Sequence, residues 1–204
     1  MSLVAAKSIY ISNLEKIFRD IKNDDDFSEK LSKETADFIK KGDITTVDAG
    51  TIPGGAFTGT GKGIIDVNHS TCKQIIYTAT QVMKSMVAGG DKYLADNIAL
   101  GINTMVMIEG KAKIDVTGVV VNPSGVSSPI KGNAKGKFID NGLSTVLATE
   151  IFVIFQAMSK MTEGGDKFFA EGMGNVVTHY LSGGTITTQG KLVLIGSIGN
   201  GKIT

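Results

Sequence analysis

One phrase, closing one helical stretch and opening the next, recurs along this chain, and that recurrence constrains the fold more than any other feature. The segments Met86 to Ala95 and Met161 to Ala170 agree in Met, Gly-Gly-Asp-Lys, an aromatic residue and Ala, with a fainter copy at Asp24-Asp25-Asp26-Phe27. Each is followed by a second helical stretch and then a short polar strand, at Gly42 to Val47, Gly110 to Val116 and Gly184 to Thr188. A further marker closes each stretch, at Gly61 to Asp66, Lys135 to Asp140 and Gly199 to Thr204. The pattern predicts three units, 1–66, 67–140 and 141–204, each far longer than the common solenoid repeats.

Apolar spacing gives each unit its content. Ile75, Ile76, Ala79, Val82, Met83, Met86 and Val87 recur at helical spacing and predict one amphipathic helix. Gly89-Gly90 ends it, and Asp91 is expected to cap the next, whose apolar face is Leu94, Ile98, Ile102, Met105 and Val106. The third unit matches, with Leu147, Ile151, Ile154, Phe155 and Met158 and then Phe169, Met173, Val176, Val177 and Tyr180. The run Leu143 to Met158 is too short for a bilayer span and reads as a buried core helix. In the first unit, Ile11, Leu14, Phe18 and Ile21 precede Asp26-Phe27-Ser28-Glu29, which has capping-box spacing. Nearly half of the charged residues fall in this first unit, so it is expected to be peripheral, like the end cap of an array.

The intervening text, such as Thr51 to Thr60 and Thr117 to Gly125, is β-branched and glycine-rich and reads as short strands and loops. Lys191 to Ile195 is a strand-length run expected to pair with Thr185 to Thr188 across a Gln189-Gly190 turn. The predicted class is therefore α+β, with helical hairpins alternating with short antiparallel glycine-rich β elements, an arrangement compatible with pseudo-threefold symmetry. The 26 glycines are assigned to turns and helix ends.

Composition narrows the function. A hydrophobic fraction of 42% with three prolines is that of a folded chain long enough to bury a core. With a net charge of +1 and no basic stripe in the sequence, no nucleic-acid partner is predicted. The single cysteine, Cys72, forms no internal disulfide and no cysteine-based metal site. The start, Met1 to Lys7, lacks a secretory pattern.

Motifs of chemistry fare poorly. Gly59-Thr60-Gly61-Lys62-Gly63 resembles a phosphate loop, but Ala56 stands at the first glycine position and Gly63 at the hydroxyl position. His69 and Cys72 share a helical turn, yet two ligands are too few for zinc, and His179 has no matching place in the other unit. Asp24 to Asp26 lacks the calcium-loop spacing, since position 35 is Thr35; helix capping and the helix dipole explain the run. No serine sits in a nucleophile elbow. No cofactor, metal or catalytic residue is predicted.

In the recurring Gly-Gly-Asp-Lys-aromatic phrase, its downstream Ala and the Gly-Lys-Gly strand endings, the chain resembles small structural proteins of tailed bacteriophages. The resemblance spans all three units and implies a virion or assembly component in the neck, tail or capsid-associated machinery, present in host cytoplasm during assembly and then in the particle. The resulting expectation is a non-enzymatic, self-associating structural protein that also meets other virion proteins and no membrane. Its contact surfaces are expected at Met107 and Met161 and at β elements carrying Lys62, Lys135, Lys191 and Leu192, where unpaired strand edges can be extended. The alternative is a small-molecule or nucleotide-binding enzyme using Lys62, Asp66 and His69. A third reading, a pore-forming protein, draws on glycine content and amphipathic helices.

Overall fold

The computed structural model describes residues 1–52, 55–192 and 195–203, and for residues 52, 191–192 and 195–201 the backbone only. In chain order the elements are α1 (Leu3–Arg19), α2 (Asp24–Lys41), β1 (Ile44–Ile52), β2 (Gly55–Asp66), α3 (Ser70–Met83), α4 (Gly90–Asn103), β3 (Lys111–Val121), β4 (Ser127–Ile139), α5 (Leu143–Met158), α6 (Gly165–Gly183), β5 (Thr185–Leu192) and β6 (Ile195–Ile203). A π-helical segment, Thr104–Ile108, carries α4 into β3. The class is α+β, as expected from the alternation of helical and β-branched text.

The strands form a closed antiparallel barrel in sequence order, β6 returning to β1 with Ile44 opposite Ile203. Alternation along each strand decides what lies inside. Phe57, Gly61 and Ile65 of β2, Ala112, Ile114 and Val116 of β3, and Ala134 and Phe138 of β4 are buried, while their neighbours face out. Eight strands already enclose a bore that side chains just fill, so six leave less room. Glycine and alanine at inward positions supply it. The Phe57 ring lies against Gly59 and Gly118, and an added Cβ at either would meet it at 2.7 Å.

Above the barrel, each helix packs on its neighbours in sequence and α1 packs on α6, so the helices close a ring as the strands do. Tyr10 of α1 stacks on Phe38 of α2 at 4.5 Å, and its hydroxyl pairs with Thr35 Oγ1 at 2.8 Å. Ring and barrel share one core: Phe138 of β4 meets Tyr180 of α6 at 5.4 Å, and the Tyr180 hydroxyl donates to Asn103 Oδ1 of α4 at 2.6 Å. The helix hairpin tips all lie at the end remote from the barrel, because each first helix leaves the barrel and each second helix returns to it.

Several expectations are corrected. The first unit is not an end cap: α1 and α2 lie between α6 and α3, with Tyr10, Leu14, Phe38 and Ile39 buried, and Arg19, Asp24, Asp25 and Glu29 make ion pairs to the neighbouring hairpins. Asp91 does not cap α4; Gly89, left-handed at φ 77°, precedes that helix and Asp91 sits in its first turn. Gly164 does the same for α6 at φ 73°. The α2 cap lies three residues before the expected one: Asn23 Oδ1 accepts from the Asp26 amide at 2.9 Å, and Asp26 Oδ2 accepts from the Lys22 amide at 3.1 Å. The first apolar face ends early, since α3 stops at Met83 and Val82, Met86 and Val87 are exposed. The α5 helix spans the predicted run but is only half-buried, with Leu147, Ile151 and Ile154 inward and Val146 and Val153 outward.

The strands are longer than read from the sequence, up to 13 residues in β4. Gln189 and Gly190 are no turn: both lie within β5, paired to Ile198 and Ser197, and the pairing of β5 with β6 runs on to Leu192 opposite Ile195. Of the expected apolar run, Val193 and Leu194 lie outside the described residues, as do Pro53, Gly54 and Thr204.

Candidate functional site

Of the residues expected to act, Lys62 and Lys135 project from the barrel wall, exposed, on strands paired on both sides. At Lys62 and Lys135 both strand edges are already paired, so extension by an added strand is ruled out at these positions as the mode of contact. Lys191 and Leu192 lie on β5 at the end remote from the helices, and their side chains fall outside the description. Met107 is exposed in the π segment near the barrel, whereas Met161 is exposed between α5 and α6 at the opposite end of the helical ring. They cannot belong to one contact surface.

The residues of the enzymatic alternative have separate partners. Asp66 Oδ2 accepts from Lys113 at 2.8 Å, which together with its charge holds the Asp66 carboxyl below the usual range. His69 Nε2 pairs at 3.0 Å with Glu29 Oε1 of α2. Burial pushes the Glu29 carboxyl up, but hydrogen bonds from Lys73 and His69 outweigh it and leave the group depressed. His69 thus ties α3 to α2, and Cys72 beyond it is buried, its thiol pushed up to about 12 by that burial. Among the described residues no cluster of three His, Cys, Asp or Glu could hold a metal. No helix among them is long and apolar enough to cross a membrane.

What the fold does assemble is an open, mostly apolar cup of about 390 Å³ at the hairpin-tip end, with Lys22, Asn23, Asp24 and Thr80 as the polar part of its lining. Every helix contributes to it: Phe18, Phe27, Met83, Leu94, Phe155 and Phe169 come from α1 to α6 in turn. Three of the rings form a chain, Phe18 against Phe169 at 4.3 Å and Phe155 against Phe169 at 5.6 Å. Around the cup stand Met86, Val87, Met161 and Phe168, all exposed. The charges of this rim are largely paired. Arg19 Nε donates to Asp166 at 2.7 Å, Lys84 pairs with Asp24, and Lys73 with Asp25 at 3.1 Å. Lys84 holds the Asp24 carboxyl below its usual range, and Arg19 does the same for Asp166. Such a surface can receive an apolar partner at little cost in charge desolvation.

Charge is segregated between the two layers. The six strands carry eight lysines and three aspartates, so the helices and loops hold the remaining 13 basic and 17 acidic residues. Within the barrel the excess is lopsided: Lys62, Lys111, Lys113, Lys131, Lys135 and Lys137 are exposed on the adjacent strands β2, β3 and β4, against Asp66 and Asp115. The sequence shows no basic stripe because these lysines are scattered over 76 positions; register brings Lys113 opposite Lys135.

A further feature went unread in the sequence. Asp48 of β1 points into the barrel and is 2% exposed. Its Oδ2 accepts from Thr46 Oγ1 at 2.7 Å and its Oδ1 from Thr188 Oγ1 at 3.2 Å. The alternation of Ile44, Thr46 and Asp48 was the available signal, since residues two apart share a face. Comparison of the chain with protein-family models, with curated proteins and with solved structures gives no match.

Proposed function

We propose that this is a non-enzymatic structural protein whose copies associate through the hairpin-tip end. The apolar cup, with contributions from all six helices and a rim of exposed Met86, Val87, Met161 and Phe168, carries the reading. An open apolar concavity bordered by exposed apolar side chains is the kind of surface at which a partner can dock. A second copy is the occupant that charge favours. Barrel walls rich in lysine repel one another, while the paired charges of the tip end let two cups face each other in an isologous contact. The order of two helices and two strands, met three times along the chain, supports three units about a pseudo-threefold axis through barrel and cup. The resemblance to structural proteins of tailed bacteriophages supports a place for the assembly in a virion, in the neck, tail or capsid-associated machinery.

Light scattering coupled to size exclusion, over a wide concentration range, tests the association. A concentration-dependent dimer or closed oligomer is expected, reduced to monomer by combining Val87→Asp with Met161→Asp while the circular dichroism spectrum is unchanged. A persistent monomer of the parent chain, or a double variant that associates equally well, overturns the contact. Mass spectrometry of purified particles tests the virion assignment.

A further inference from the structure

The β2–β4 wall is unlike the rest of the molecule. Lys131, Lys135 and Lys137 of β4, Lys111 and Lys113 of β3 and Lys62 of β2 stand on one outward face. Residues two apart on a strand are about 7 Å apart and adjacent strands about 5 Å, so the field runs about 20 Å along β4 and is about 10 Å wide. Only Lys113 forms an ion pair among the described residues, with Asp66; the other five lysines are free to meet an outside anion. Asp115 is the one other acid on this face.

We infer that the outer wall of β2, β3 and β4 binds the phosphate backbone of duplex nucleic acid without regard to sequence. Between the lysines stand Thr58, Thr60, Thr117 and Asn133, outward and exposed, which are hydrogen-bond donors suited to phosphate oxygens. The aromatic rings of these strands, Phe57 and Phe138, are buried inside the barrel. The wall therefore offers no platform on which unpaired bases stack, which favours a duplex over a single strand. A duplex presents about one charge per 1.7 Å of axis, so 20 Å of it carries about 12 phosphates, half of them facing one side. That number suits five free lysines. The excess of acid over base in the helical layer repels the same polymer and fixes which side of the protein meets it. The inference stands independently of association at the cup, which lies at the other layer.

Fluorescence anisotropy with a labelled duplex of about 30 base pairs and arbitrary sequence, at about 50 to 200 mM salt, tests it. Micromolar binding is expected at low salt, weakening roughly 10²- to 10³-fold across that range for about five phosphate contacts. Combining Lys131→Glu with Lys135→Glu should weaken binding at least about tenfold. Combining Lys16→Glu with Lys160→Glu makes the same change in net charge in the helical layer and should leave binding within about twofold of the parent. Circular dichroism and thermal melts establish that both double variants are folded. No binding of duplex at low salt, an equal loss in both double variants, or equally tight binding of a single strand or of polyglutamate overturns the inference.

Discussion

Arg19 at the end of α1 donates to Asp166 in the first turn of α6 at 2.7 Å, joining residues 147 positions apart. The bond sits where the helical ring closes, and Asp166 also lies at the positive end of α6, where a carboxylate is favoured. Lys84 with Asp24 makes the corresponding link between the first and second helical hairpins.

These links make the protein sensitive to acid. Hydrogen bonding from Arg19 depresses the Asp166 carboxyl, from Lys84 the Asp24 carboxyl, from Lys30 the Asp26 carboxyl and from Lys113 the Asp66 carboxyl. A carboxyl depressed in the folded state contributes stability that is complete above its unfolded value, about 3.9 for Asp, and is lost as pH falls through the folded value. Urea midpoints are therefore expected to be flat from neutral pH to about pH 5 and to fall below about pH 4. Asp166→Asn should lower the midpoint slightly at neutral pH and make the acid fall shallower. An unchanged midpoint down to about pH 2 contradicts the assignment.

Gly61 shows why the barrel needs its small residues. A Cβ there would lie 2.3 Å from Thr46 Oγ1 and 2.5 Å from Ile114 Cγ2, inside a wall that cannot give on either side. Gly61→Ala is expected to cost about 1–3 kcal/mol by overpacking, read as a drop of several degrees in Tm. Gly165→Ala is the control: its nearest neighbour would be Met158 Cε at 3.7 Å, and it opens α6 in ordinary geometry. That change should be neutral or stabilise by up to about 1 kcal/mol.

The Thr46–Asp48–Thr188 cluster yields a third outcome. Thr46→Val keeps the shape and removes one donor, leaving Asp48 Oδ2 short of a partner in the barrel interior. A loss of about 1–3 kcal/mol is expected, by chemical denaturation, because an unsatisfied buried acceptor carries its full desolvation penalty. Thr45→Val, on the outward face of the same strand, should stay within about 0.5 kcal/mol of the parent. Equal effects at the two positions would refute the role given to the hydroxyl.

Cys72 is buried between α3 and α4, where an added Cβ on Gly101 would meet its sulfur at 3.0 Å. With the thiol at about 12, almost no thiolate exists at pH 8. A disulfide-exchange reagent should label Cys72 only as fast as the helices open, and completely in urea. Prompt labelling of the folded chain would show that α3 does not pack as described.

The helices were legible because their signals are local. The apolar run from Leu143 to Met158 is α5 to the residue, and Gly89 and Gly164 mark the two joints because left-handed backbone favours glycine. The same joints misled about Asp91, since a glycine cap displaces the expected aspartate into the first turn. β4 was half-hidden: Ser127, Pro129, Gly132, Asn133 and Gly136 are poor strand formers in isolation, and their fit comes from pairing with β3, joined at Asn133 and Gly136 by pairing with β5. Closure of ring and barrel, the cup and the lysine wall all depend on contacts between distant segments. No periodicity within one window reports them.

The seam between β1 and β6 also dictates when the fold can be completed. The hairpins β1–β2, β3–β4 and β5–β6 need only local chain, but Ile44 finds Ile203 across 159 positions. During synthesis the outer edge of β1 has no partner until β6 has been made, and an unpaired edge invites association with another chain. Barrel closure is therefore a late, non-local step, and the speed of folding is governed by that final docking more than by the formation of any hairpin.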